Sequence, residues 1–202
     1  MLQDAHLMIF AKAPEPGEVK TRLASSVGAE EACRIYRQLL AEVLENLRGL
    51  TGVELRFTPD DRETDFTAYL QKSWFTRAQG AGDLGARLTR AFLDAFEDGA
   101  RRVVAIGSDC PEVIAADITE AWQALEDHDV VLGPATDGGY WLIGLRAAHP
   151  EIFRGIPWSS ESVFAATCES AKKANLSTYL LRVLSDVDTD NDWRRFRQRK
   201  ME

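Results

Sequence analysis

The sequence predicts an α/β fold: a three-layer sandwich built on a mostly parallel, mixed sheet. Three observations predict it. Short β-like runs alternate with longer helical runs along the chain, the pattern of βαβ units. The run Val103 to Gly107 (VVAIG) is apolar without alternation, as expected of a strand covered by helices on both faces. The chain has 202 residues, 45% hydrophobic and 28% charged, which is ordinary globular usage and large enough for its own core. With no repeat and no low-complexity segment, one domain over residues 1–202 is expected.

The elements follow in order. His6 to Lys12 (HLMIFAK) reads as a buried first strand. The stretch from Ala11 to Leu23, with two prolines and a glycine, reads as an irregular loop. Ala29 to Arg48 places Ala32, Ile35, Leu39, Leu40, Val43 and Leu47 at helical spacing. Val53 to Phe57 is a second strand, Asp61 to Leu70 a helix and Trp74 to Ala78 a short strand. Asp83 to Asp98 is helical by its stripe Leu84, Leu88, Ala91 and Ala95, and Gly99 suits its end. After the central strand come a helix at Asp117 to Glu126 and strands at Val130 to Gly133 and Tyr140 to Leu145. Ser160 to Ala174 is a helix, Thr178 to Val183 a strand and Asp190 to Arg199 a closing helix.

Charge and composition exclude several functions. A net charge of -8 without a basic block argues against nucleic-acid partners and against an anionic membrane surface. The longest apolar runs, about five residues, are too short to cross a bilayer. The amino-terminal MLQDAH lacks the basic region of a signal peptide, and three dispersed cysteines without a CxxC pair suit a reducing, cytoplasmic location. Cys33, Cys110 and Cys168 read as small apolar core residues. His6, His128 and His149 have no zinc spacing, and no GxSxG, Walker A or GxGxxG motif occurs. Nothing in the sequence sets the oligomeric state.

In sheets of this kind ligands bind beyond the carboxyl ends of the strands, at the switch in strand order. The loop after the first strand carries Lys12, Lys20 and Arg22, a local excess of cations in an acidic chain. It suits a phosphate seat; it also suits a solvated loop whose cations pair with surface acids. Ser108-Asp109-Cys110-Pro111 puts an aspartate directly after the central strand, either as a turn residue or as the ligand of a hard cation. Asp137-Gly138-Gly139 reads as a hairpin turn that also permits close approach of a ligand, with Tyr140 and Trp141 placed to flank a sugar or base or to enter the core. Gly82 and Asp83 open a helix, with Asp83 suited to its cap. Asp186, Asp188, Asp190 and Asp192 repel one another unless solvated, used as caps or neutralised by a metal; either Asp186 or Asp188 can complete a metal site begun by Asp109.

Together FAKAPEPGEVKTRL, GDLGARL, VVAIGSDCP, VLGPATDGGYWLIGL, IPWSS and DVDTDND, in this order from about Leu7 to Asp192, resemble the DUF2064 group, assigned to the nucleotide-diphospho-sugar transferases. More distantly the chain is similar to 2-phospho-L-lactate and molybdenum cofactor guanylyltransferases. The resemblance implies the GT-A, Rossmann-like fold, and Mg²⁺ or Mn²⁺. It implies nucleotide contacts by Ala11, Lys12, Lys20, Arg22, Gly82, Asp83, Arg87 and Ser108. It implies metal at Asp109 and Asp188, with Asp186 a close competitor, and an acceptor or sugar side at Asp137, Gly138, Gly139, Tyr140, Trp158 and Ser159. Asp109, Lys20 and Asp137 are then the catalytic candidates. Ser160 replaces the family's threonine, and Gly107 stands where the GT-A Asp-x-Asp pair has its first carboxylate.

These readings imply a metal-dependent transferase that moves a group from a nucleotide-activated donor, a sugar nucleotide, to a small-molecule acceptor. Two alternatives stay open. One is a nucleotidyltransferase that releases pyrophosphate; the other is a nucleotide-binding module without turnover.

Overall fold

In the computed structural model, which describes residues 4–200, seven strands form a single sheet. Met1, Leu2 and Gln3, part of the stretch read against a signal peptide, lie outside the described residues. The strands are β1 (Ala5–Lys12), β2 (Val53–Thr58), β3 (Phe75–Ala78), β4 (Arg102–Gly107), β5 (Val130–Pro134), β6 (Tyr140–Leu145) and β7 (Thr178–Leu180). Their order is β3-β2-β1-β4-β6-β5-β7. Only β6 runs antiparallel to its neighbours, so the sheet is mixed and mostly parallel, as expected.

The helices are α1 (Thr21–Val27), α2 (Ala29–Asn46), α3 (Leu84–Glu97), α4 (Ala115–Ala124), α5 (Val163–Lys173) and α6 (Asp190–Arg199). Alternation along β1 shows why three layers form. Leu7 and Ile9 pack with Leu40 and Val43 of α2 and Ile118 of α4. Met8, on the opposite face, packs with Leu88 and Phe92 of α3 and Ala171 of α5. All three β1 side chains are fully buried. A smaller apolar cluster joins Leu23 of α1, Ile35 and Leu39 of α2 and Phe196 of α6 outside the α2 layer. Among the described residues no helix is long and apolar enough to cross a membrane.

Four local expectations are corrected. The loop after β1 ends in a helix, α1, whose one buried residue is Leu23; a single anchor leaves no periodic stripe to read. Residues 63–69 form 3₁₀ turns rather than an α-helix, with Phe66 their one buried residue and Tyr69 packed partly against the core. The helix expected from Ser160 starts at Val163, because Ser159 takes a left-handed conformation (φ 64°) and Ser160 donates its hydroxyl to the Pro157 carbonyl. β7 stops at Leu180, after which the chain keeps only isolated bonds to β5 and its turn: Leu181 N–H to Leu132, Leu184 N–H to Pro134, and Thr136 N–H to Leu184.

That last stretch positions the site. It carries the carboxyl-terminal segment along the end of β5 to the end of β4, where the Val187 N–H donates to the Asp109 carbonyl at 3.1 Å. The switch in strand order falls between β1 and β4, with Phe10 opposite Gly107. Lys12, Ser108 and Asp109 therefore share one rim of the sheet.

Candidate active site

Lys20 is the centre of this rim. It is left-handed (φ 48°, ψ 48°) immediately before α1. Its ammonium donates to Asp109 Oδ2 at 2.9 Å and to Asp188 Oδ1 at 2.7 Å, and its side chain is 5% exposed. Burial by itself lowers the pKa of such an ammonium; here Asp109 and Asp188 outweigh it and raise the pKa above the ordinary value. Arg22, the second residue of α1, adds a looser contact to Asp188 Oδ2 at 3.6 Å. Lys12 turns to its own loop, donating to the Glu18 carbonyl at 2.6 Å, and stays half exposed.

Ser108 is buried, its hydroxyl 3.0 Å from the Tyr36 hydroxyl, which in turn accepts the Lys12 N–H at 2.9 Å. Tyr36 thereby ties the ends of β1 and β4 together; burial pushes its phenol up to about 12, so it stays neutral. Asp83 caps α3 by accepting the Ala86 N–H at 2.8 Å. The Gly82 carbonyl accepts from Arg87 Nε at 2.8 Å, and Arg87 also reaches Gln79 at 3.4 Å.

Two cavities meet at this point. One, about 410 Å³, is lined by Ala11, Lys12, Lys20, Arg87 and Ser108. The other, about 600 Å³, is lined by Asp137, Gly139, Tyr140, Trp158, Ser159 and Asp186. Arg22, Leu84, Asp109 and Asp188 belong to both walls. Asp137 accepts the Gly139 N–H at 2.9 Å, the expected turn. Gly138 (φ +87°) is required here, since a Cβ would overlap the Glu161 carbonyl, and its own carbonyl accepts the Phe164 N–H at 2.9 Å. Trp158 packs against Gly85 and sits edge-on to Tyr140, ring centroids 6.5 Å apart.

Asp109, Asp186 and Asp188 thus line one cavity. Asp186 differs from the other two. Its carboxyl makes no hydrogen bond or ion pair among the described residues, and Oδ1 is buried. Burial first and Asp109 second push it up to about 8. Among the described residues no three His, Cys, Asp or Glu side chains stand in metal-ligand geometry. The donor chemistry still fits a hard cation: two carboxylates share a single buried lysine, and the carboxyl group of Asp186 on the same cavity wall lacks any partner among the described residues.

Some expectations fall away. Trp141 does not flank a ligand: it is 2% exposed, covers Gly133 and donates to the Arg182 carbonyl at 3.1 Å, because alternation turns its side chain into the core. The Tyr140 hydroxyl is buried, so this residue offers the cavity only its ring. Gly82 and Asp83 shape the entry to α3 rather than the two cavity walls. Cys33 and Cys110 are buried as expected, whereas Cys168 is half-buried. Tyr36, Gln79, Leu84 and Glu161 were not singled out in the sequence as site residues. Gln79, directly after β3, carried the same strand-end signal as Asp109; Tyr36 and Glu161 carried none.

Residues 41–160 match the family described as "Uncharacterized protein conserved in bacteria (DUF2064)". A 2-phospho-L-lactate guanylyltransferase from Methanocaldococcus sp. (strain FS406-22) is 25% identical over 177 residues, 86% of this chain and 74% of that protein. A crystal structure of a candidate nucleotide-diphospho-sugar transferase from Desulfovibrio desulfuricans G20 is 37% identical. It covers 93% of this chain and 84% of its own, with a TM-score of 0.86. A Mycobacterium tuberculosis H37Rv protein solved in complex with manganese shares the fold at 16% identity and a TM-score of 0.57, covering 96% of this chain and 98% of its own. The fold and these matches agree: the chain belongs to the DUF2064 family and has the nucleotide-diphospho-sugar transferase fold.

Proposed function

We propose that this transferase uses a divalent metal and takes its group from a sugar nucleotide. One observation carries the reading: the Lys20 ammonium lies between Asp109 and Asp188 at the point where the two cavities meet. The first cavity receives the nucleotide, with Lys12, Lys20 and Arg22 at its phosphates and Arg87 farther in. Mg²⁺ or Mn²⁺, held by Asp109 and Asp188 with Asp186 as the competing ligand, would neutralise charge that develops on the phosphate oxygens of the leaving group. Lys20, from a largely desolvated position, and the exposed Arg22 supply positive charge to the same oxygens. Asp137, on the far wall of the second cavity, orients the acceptor hydroxyl and takes its proton. Holding donor and acceptor on two sides of one wall provides most of the rate advantage.

A thermal-shift screen of nucleotides and sugar nucleotides, with and without Mn²⁺, tests the reading. A sugar nucleotide at a hundred times its Kd should stabilise the protein by about 2.7 kcal/mol. Asp109→Ala should abolish the Mn²⁺-dependent part while the fold survives; an unchanged Mn²⁺-dependent shift removes Asp109 as a ligand.

Nucleotidyl transfer is the second reading, favoured by the guanylyltransferase relative. An acceptor phosphate would then attack the α-phosphate of a nucleoside triphosphate. Products separate the two readings: pyrophosphate in that case, nucleoside diphosphate in sugar transfer.

A further inference from the structure

We infer that the second cavity takes an acceptor bearing a hydroxyl group and no phosphate, docked on Asp186. The inference rests on the proposed donor-nucleotide reading of the first cavity, and it adds the chemical class of the second substrate.

At about 600 Å³ the cavity suits a molecule of sugar or polyol size. Among the described residues its lining includes Asp109, Asp137, Glu161, Asp186 and Asp188, against one cation, Arg22. Lys20 offsets Asp109 and Asp188 from behind. A divalent cation shared by those two residues offsets them further, yet leaves Asp137 and Glu161 uncompensated on the wall. The diphosphate of a bound donor adds negative charge beside them. A phosphorylated acceptor would therefore enter against the like charge of Asp137 and Glu161 and of the donor diphosphate, an arrangement that selects against it.

Asp186 is the independent pointer to a ligand. It is largely buried, lines the cavity and makes no hydrogen bond or ion pair among the described residues. A buried carboxyl group without a donor is a cost that native structures rarely carry. An acceptor hydroxyl supplies that donor. Trp158, edge-on to Tyr140, gives the same cavity an apolar wall for the C–H face of a carbohydrate. In the transfer, the acceptor oxygen bonds to the anomeric carbon of the donor. The bond from that carbon to the β-phosphate oxygen breaks, and its electron pair leaves with the nucleoside diphosphate. The hydroxyl proton passes to the Asp137 carboxylate.

The test uses the full chain with MnCl₂ and saturating UDP or GDP, whichever gives the larger thermal shift. Matched probes are titrated by calorimetry: glucose against glucose 6-phosphate, and myo-inositol against inositol 1-phosphate. The uncharged member of at least one pair should bind, and its phosphorylated counterpart at least ten-fold more weakly. Asp186→Asn should weaken the uncharged probe about ten-fold. The double variant Asp137→Asn, Glu161→Gln, which leaves Asp186 in place, should narrow the gap within the pair. Equal or tighter binding of the phosphorylated member overturns the inference, as does silence from both polyols. If Asp186→Asn instead raises the Mn²⁺ needed for nucleotide binding and leaves the polyol unaffected, Asp186 is a metal ligand and the inference falls. If neither nucleotide binds, the donor-site reading itself has failed, an outcome distinct from these.

Discussion

Lys20 and Gly138 show how much of the site rests on single positions. Lys20 replaces water around two carboxylates, and as a flexible ammonium it can transfer the same charge to a phosphate. Lys20→Ala should weaken nucleoside di- and triphosphates by roughly ten- to a hundred-fold, the worth of one charge-assisted hydrogen bond. The free nucleoside should bind unchanged; calorimetry on both ligands checks this, and equal loss removes the phosphate role. Gly138 is constrained by backbone rather than by charge. Gly138→Ala places a Cβ on a left-handed residue and against the Glu161 carbonyl. It should cost about 1–3 kcal/mol from the backbone alone, read from the urea midpoint. It should also disturb the segment carrying Trp158, Ser159 and Glu161.

One buried ion-pair network and one hydrogen-bonded carboxylate hold the elements that carry these residues. Between β1, β2, β3 and α3, Glu54 is fully buried and contacts His6 at 2.9 Å and Arg56 at 2.5 Å, while Arg56 also reaches Asp94 at 2.8 Å. Such a network fixes the register of β1 on β2, and therefore the height of Lys12 at the rim. Glu54→Gln should cost about 3 kcal/mol, the low end for breaking a buried pair, because Asp94 still holds Arg56. Chemical denaturation measures it. At the other side of the sheet Asp129 accepts from the Ser177 hydroxyl at 2.7 Å and the Ser177 N–H at 2.9 Å, joining β5 to β7. These donors, the hydroxyl first, hold its carboxyl below the ordinary range. The stability it contributes is present above the unfolded pKa and is lost as pH falls through the lower folded value. Asp129→Asn should thus be less stable than the parent at pH 7, and the difference should begin to narrow as pH falls below about 4 in parallel melting curves.

The site closes only when distant parts of the chain meet. Lys20 reaches acids 89 and 168 positions away. The carboxyl-terminal segment arrives by following β5 and its turn and docking on the Asp109 carbonyl. This long return lets a sheet of short local units build a centre from both ends of the chain. Asp188→Asn should raise the Mn²⁺ concentration for half-maximal nucleotide binding, read by titrating Mn²⁺ at fixed nucleotide. If only Asp186→Asn does so, the second ligand lies two positions earlier.

Periodicity and strand-end position were enough to read the seven strands, α2, α3, α6, Asp109 at the end of the central strand and the cationic loop bearing Lys20; the residues themselves left Asp186 and Asp188 open as the partner of Asp109, and only the family resemblance favoured Asp188. Those signals are local: a buried strand, an amphipathic helix and a polar residue just past a strand each declare themselves within about ten residues. Weakly anchored pieces such as α1 and the 3₁₀ turns at residues 63–69 bury one side chain each, so they left no period to read. Tertiary structure alone decided that Lys20 lies between Asp109 and Asp188, that Asp186 is left without a partner, and that Trp141 belongs to the core while Trp158 lines the cavity. Each of these outcomes depends on burial and on contact partners far away in the chain, and neither quantity is encoded in the neighbours of a residue.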